Sequence, residues 1–279
     1  MAARYAWVLN LDADLELAHG PGYTPSASVT RMAATFAKRL RGSLVAADDV
    51  VIDARTPEGS ARGLAGRAFC PTPRAIAMLV RAGAEPEPHP TFDVLRRVGS
   101  RAFSASLGQT MPGAAFVTRL DEARAILRGD PAPGTAWRVK RAYGMAGRGH
   151  RIVGRSPRDE DVAFLAGFLA EGGVQIEPNV RVAEEWALHG MIAQGGAARL
   201  GVLTRQRTDA SGAWLATERA DDGPRDPIAR EAERAARALA EAGYFGPFGV
   251  DAFTYDGTLR ARSEINARYS MGFAVGFGS

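Results

Sequence analysis

Cysteine occurs once, at Cys70, so no disulfide forms within the chain, and this usage suits a reducing compartment. No apolar run reaches the length that crosses a bilayer. The N-terminal stretch MAARYAWVLNLDADLELA picks up acids too early for a signal peptide. Together these absences point to a soluble, cytoplasmic protein. Basic blocks and aromatic–basic interleaving are also missing, and net charge is only +4, so a pI near 9.6 does not mark a nucleic-acid surface. Lysine is nearly absent: Lys38 and Lys140 stand among 35 basic residues. Where arginine is used almost everywhere, a retained lysine marks a place for a compact point charge rather than a planar fork.

What is present is enough for a core: 279 residues, 46% hydrophobic, sufficient for one large or two modest domains. Tyr5–Leu11 reads as a buried strand, Asp12–Ser28 with His19 as a loop, and Ser28–Arg41 as a helix stopped by Gly42. Leu44–Ile52 and Ala68–Cys70 read as strands. Thr72 then caps a helix with Pro73 at its first position and Gly83 past its end. This alternation predicts a small parallel α/β domain. Cys70 faces that helix start, which would lower its pKa, yet no histidine is placed to make it a nucleophile. His19 and His89 read as loop residues. The proline-dense EPEPHP, residues 85–90, is the candidate boundary, giving domains 1–92 and 93–279.

In the second half, Trp137–Arg141 reads as a strand carrying Lys140. A loop with Gly144, Gly147 and Gly149 follows, and a further strand starts at His150. Such a loop lets backbone N–H groups approach phosphates, or is an ordinary hairpin turn. It is no Walker loop, because G-K-[ST] is missing and no helix follows. Val174–Glu177 and Glu185–Ile192 read as strands. Arg199–Arg207 is a strand bearing Arg205 and Arg207, either of which would stabilise phosphate charge or pair at the surface. Glu218–Pro227 reads as a polar loop, and Ile228–Ala242 as a structural helix.

Residues 248–272, FGVDAFTYDGTLRARSEINARYSMG, organise this half. Asp256-Gly257 is a two-residue hairpin turn signal between two strand-favouring runs. That turn sets Tyr255 opposite Thr258 and Asp251 opposite Arg262. Asp251, Arg262, Glu264 and Asn266 then share one face, with Asp251 and Glu264 a diagonal pair. Two carboxylates and an amide oxygen make a hard-oxygen site suited to Mg²⁺. The same face would also serve as a solvated surface paired with arginines.

Asp251 followed by E-I-N-A-R resembles the metal-binding signature of the ATP-grasp superfamily of carboxylate–amine ligases, and the order lysine, glycine loop, hinge, then D…E-x-N-x-R strengthens the likeness over Arg101 to Gly272. The resemblance implies an α/β (α+β) fold of two lobes gripping ATP, preceded by a small pre-ATP-grasp domain. It implies ATP and two Mg²⁺, with Mn²⁺ able to substitute, held by Asp251, Glu264 and Asn266. Lys140 and Gly144, Gly147 and Gly149 would meet the phosphates, and Gln175–Val180 with Glu177 the adenine. Either Glu184 or Glu185 would meet the ribose; face alternation favours Glu185. Arg268, with Arg205 or Arg207, would act on the carboxylate or the transferring phosphate.

Three features depart from the pattern. Arg101 stands where many members have a lysine, Gly249 where an arginine often precedes the aspartate, and the glycine-rich tail carries no C-terminal helix of the kind some members have. The implied activity is ATP-dependent ligation through an acyl phosphate, on small carboxylate and amine substrates, without nucleic acid or membrane partners, in a chain able to form homodimers. A related phosphotransferase and a non-catalytic Mg·ATP module are the alternatives.

Overall fold

The computed structural model describes residues 4–109, 111–144, 149–155, 157–208 and 214–278. The chain opens with β1 (Tyr5–Val8), α1 (Ala13–His19), α2 (Ala27–Leu40), β2 (Val50–Ile52), β3 (Ala65–Ala68), α3 (Pro73–Arg81) and β4 (Glu85–Pro86). The four strands form a parallel sheet in the order β2-β1-β3-β4. Ala6, Val8, Ala75 and Leu79 are buried between the sheet and α3. Proline is tolerated in β4 because β4 is an edge strand.

Helices α4 (Phe92–Val98) and α5 (Arg101–Ser106) follow. The next unit comprises β5 (Ala115–Val117), α6 (Leu120–Leu127), β6 (Trp137–Arg141), β7 (His150–Val153), α7 (Asp159–Ala170) and β8 (Val174–Pro178). Its antiparallel sheet runs β5-β8-β6-β7 around Trp137, Val139, Leu165 and Ile176. A second antiparallel sheet holds β9 (Glu184–Ile192), β10 (Ala198–Thr208), β11 (Trp214–Arg219), β12 (Gly246–Tyr255) and β13 (Thr258–Asn266), ordered β11-β10-β9-β12-β13. Helix α8 (Arg225–Glu241) lays Ile228, Ala232, Ala235, Ala236 and Leu239 on Leu188, Phe248 and Val250 of this sheet. Leu17, Leu95 and Val98 join the same core, so α1 and α4 are cemented to the second sheet. A short α9 (Phe273–Phe277) lies on β9, β10 and β11.

Several expectations change. Residues 13–19 are helical, not loop, because Leu17 reaches the core and Glu16 accepts from Thr72 Oγ1 at 2.6 Å and the Arg74 amide at 2.9 Å. These partners lie more than fifty residues away, beyond any local signal. Thr72 precedes α3, yet its hydroxyl serves Glu16 and not the helix end. Of the polar stretch 218–227, residues 220–224 form the expected loop, while 218–219 end β11 and 225–227 open α8; the tail contributes α9.

The hairpin turn forms at Asp256 and Gly257, with φ of 44° and 73°, and Tyr255 faces Thr258. Beyond Phe253 and Arg260, however, a bulge slips the register by two residues, so Asp251 faces Glu264 directly and not Arg262. A slip of two preserves the alternation of faces, so Asp251 and Glu264 stay together. Arg262 is carried out of the cluster. Its guanidinium donates to Glu231 at 2.8 Å, the Ser104 carbonyl at 2.5 Å and the Gly108 carbonyl at 2.7 Å.

Cys70 is buried, and burial pushes its thiol up to about 12, against the expected lowering. The native protein is therefore expected to resist iodoacetamide near neutral pH and to take up one carbamidomethyl group when unfolded. Intact mass after timed quenching checks this; rapid native labelling would contradict the burial.

Candidate active site

The two antiparallel sheets and the parallel sheet open onto one cleft of about 330 Å³. β12 and β13 carry Asp251, Glu264 and Asn266 into it, and β6 and β8 carry Lys140 and Glu177. Arg101, Gly144, Gly149, Val180, Glu185 and Arg268 also line it. Gly147 lies outside the described residues.

Asp251 is a strongly perturbed acid of the cleft. Burial, then the facing Glu264 carboxylate, pushes it up to about 7. Gln206 Nε2 donates to its Oδ1 at 3.0 Å and Asn266 Nδ2 to its Oδ2 at 2.8 Å. Both donors are neutral, and among the described residues no ion pair reaches Asp251. Glu264 differs: burial opposes its ionisation, but Arg101 and Lys140 outweigh it and hold the carboxyl low. Arg101 donates to Glu264 at 2.8 Å and to the Arg141 carbonyl at 2.7 Å. A Cβ at Gly144 would lie 2.6 Å from the Arg101 guanidinium, so a larger residue there would displace that side chain.

A half-buried carboxylate with no ion-pair partner among the described residues, set against a second carboxylate, fits a divalent cation. Among the described residues no group of three His, Cys, Asp or Glu side chains forms a metal cluster. The donor set is two carboxylates plus the Asn266 amide, a composition that suits Mg²⁺, which draws its remaining ligands from water and phosphate.

Across the cleft, Glu177 is sandwiched between two cations. Lys140 Nζ lies 2.5 Å from Oε1 and Arg260 Nη1 donates to Oε2 at 2.7 Å. Burial alone would raise Glu177, but Lys140 and Arg260 override it and bring its pKa down to about 2. For Lys140, desolvation wins over Glu177 and lowers its pKa. Both oxygens of Glu177 are thus occupied by side chains of the protein.

The chain crosses from the first antiparallel sheet to the second through residues 179–183. Val180 and Val182 line the cleft there, with Pro178 and Phe253 beside them. Alternation along β9 separates the two adjacent glutamates. Glu185 turns inward and accepts from Thr208 Oγ1 at 3.3 Å, while Glu184 is exposed and lies 3.4 Å from Arg205. The same alternation on β10 turns Gln206 and Thr208 inward. Arg205 and Arg207 point outward, to Asp222 at 3.2 Å and Glu218 at 3.3 Å. Neither arginine lines the cleft. Gln206 and Thr208 went unnoticed in the sequence because the arginines beside them carry the more conspicuous charge.

Arg268 is half-buried and chelated by Asp14 of α1, with Nη2 at 2.8 Å and Nε at 3.3 Å. Burial opposes its charge, but Asp14 raises its pKa on balance. Asp14 therefore orients an arginine that lies two residues beyond Asn266. His189, also unnoticed in the sequence, lines the cleft with its ring against Phe273. Burial lowers it to about 4, so it is neutral.

No protein-family model matches the chain, and no curated protein sequence matches it. Solved structures do. N5-carboxyaminoimidazole synthetase from Staphylococcus aureus, complexed with ADP, superposes with a TM-score of 0.55 at 14% identity, covering 97% of this chain and 71% of that one. Biotin carboxylase from Campylobacter jejuni, in a β-γ-ATP complex, gives 0.58 at 14% identity over 100% and 72%. D-alanyl-alanine synthetase A from Vibrio cholerae gives 0.55 at 12% identity over 95% and 89%.

Proposed function

From the premise that this chain has the ATP-grasp fold of those three enzymes, we propose that it is an ATP-dependent carboxylate–amine ligase that releases ADP and phosphate. The observation that carries this reading is the facing pair Asp251 and Glu264, opening on the same cleft as Lys140. A facing carboxylate pair in which Asp251 has no ion-pair partner among the described residues on one wall, and the half-buried Lys140 ammonium on the other, is the polarity a metal-bound triphosphate requires.

The nucleotide base lies against Val180, Val182 and Phe253, with Glu185 at the ribose and the phosphates running toward Lys140 and Arg101. Glu177 holds Lys140 in place rather than reading the base, because both its oxygens are engaged. Asp251, Glu264 and Asn266 would hold magnesium, which when bound neutralises charge on the phosphate oxygens. A substrate carboxylate oxygen bonds to the γ-phosphorus as the bond to the β–γ bridging oxygen breaks, and ADP leaves. An amine nitrogen then bonds to the acyl carbon, the carbon–oxygen bond to phosphate breaks, and the amine gives up a proton. Lys140 and Arg101 stabilise the charge that builds on the transferring group, and the closed cleft keeps water from the acyl phosphate.

The test is ADP and phosphate release from Mg·ATP across small carboxylates and amines, singly and in pairs. Release that requires both co-substrates supports ligation. Release that requires only one, with the phosphate transferred to it, makes the protein a phosphotransferase. Nucleotide binding without release from any pair leaves a Mg·ATP-binding module.

A further inference from the structure

Resting on the ligase reading, we infer that the carboxylate substrate carries an apolar side chain, branched aliphatic or aromatic, seated between α2 and the residues Phe69 and Trp214. In α2, Val29, Met32, Ala33, Phe36 and Leu40 recur at helical spacing and form one apolar face. Such a face normally packs into a core, yet only Leu40 is buried in this helix. Met32, Ala33 and Phe36 are half-buried and line the cleft.

The rest of this wall belongs to the same surface. Leu11 follows β1 and Phe69 follows β3, so both stand at the carboxyl ends of parallel strands, where open parallel sheets take their ligands. Trp214, at the start of β11, closes the other side. Arg39 of α2 donates to the Trp214 carbonyl at 3.1 Å and lies over the Phe36 and Trp214 rings, which ties the helix to the sheet.

Charge sets the orientation of the occupant. Arg268, clamped by Asp14, sits with its guanidinium 5.4 Å from the Phe69 ring, between the carboxylate pair and the apolar wall. A molecule whose carboxylate meets Arg268 and whose apolar group meets Phe36, Phe69 and Trp214 satisfies both. The adenine does not compete for this wall, because its slot by Phe253 of β12 is separated from Trp214 of β11 by two strands, β9 and β10.

The experiment uses Mg·ATP with hydroxylamine, which traps any acyl phosphate as a hydroxamate whatever the natural amine. Acetate, glycine, alanine, leucine, phenylalanine and phenylacetate are compared. Apolar pockets discriminate by about 10–200-fold, so kcat/KM is expected to rise at least tenfold from acetate or glycine to the best apolar acid. Phe36→Asp, on a half-exposed helix face, is expected to erase that gain, mainly by raising KM for the apolar acids. Equal use of glycine and leucine, or an undiminished gain in the variant, would overturn the inference.

If no acid gives a hydroxamate, the ligase reading fails. The seat is then tested alone, by tryptophan fluorescence during titration with phenylacetate and phenylalanine against glycine, in the presence of Mg·ATP. A saturable change that is lost in Trp214→Phe and shifted at least tenfold in Phe36→Asp supports the apolar seat; no saturable change refutes it.

Discussion

Glu264→Gln is expected to abolish co-substrate-dependent ADP release while leaving the fold intact. The substitution is isosteric and sits on a strand whose neighbours Val250 and Ile265 keep their packing. What it removes is one negative charge from a pair that lies near Arg101, Lys140 and Arg268. A cation at a phosphoryl centre contributes several kcal/mol of charge stabilisation. Losing about 4 kcal/mol of it slows turnover on the order of 10³-fold. The amide also presents either its oxygen or its NH₂ to Arg101, and the second arrangement sets donor against donor. The measurement is kcat/KM for ADP release at saturating Mg²⁺, with circular dichroism and Tm as fold controls. Activity within tenfold of wild type in a folded variant would mean that Glu264 is not a metal ligand. A folded variant whose activity recovers as Mg²⁺ is raised would place the loss in cation affinity.

The residues of this site were largely legible in the sequence, and their detailed pairing was not. The strand that carries Lys140 and the turn at Asp256-Gly257 are local features, set by strand-favouring side chains and by glycine at positive φ, so a single sequence reveals them. The bulge that brings Asp251 opposite Glu264 is different. It depends on where Arg262 finds its partners, and those lie on α5, after it and on α8. Helix α1 was obscured in the same way. Its acids look like loop composition until Thr72, Arg74 and Arg268 are folded against them. Gln206 was hidden because its importance lies in facing Asp251 from another strand, which only the sheet order reveals. Local propensity read the elements well, and partners distant in the chain decided which side chains meet.

Glu177→Gln carries the second large effect, on stability. The carboxylate is almost fully buried between Lys140 and Arg260, with side-chain exposures of 4%, 17% and 5%. Neutralising it leaves two positive groups in low dielectric with a single amide between them. Removing one partner from such a buried cluster costs about 3–5 kcal/mol, which denaturant unfolding resolves easily. The sign with pH follows from the shift of Glu177 from 4.5 down to about 2. The folded value is depressed, so the stabilisation is complete above about pH 4.5 and is lost as pH falls toward 2. Subtracting the variant's pH profile from that of the wild type isolates this term from the other carboxylates: the gap should be widest near neutral pH and should close on acidification. Pairing the change with Arg260→Met should return part of the loss, since it removes one of the two charges that Glu177 faced and fills the space with an apolar chain. A Glu177→Gln variant as stable as wild type at pH 7 would show that Lys140 is already neutral in the folded protein. The ammonium would then be charged only when a phosphate arrives, and nucleotide binding would take up a proton, which calorimetry in buffers of different ionisation enthalpy detects.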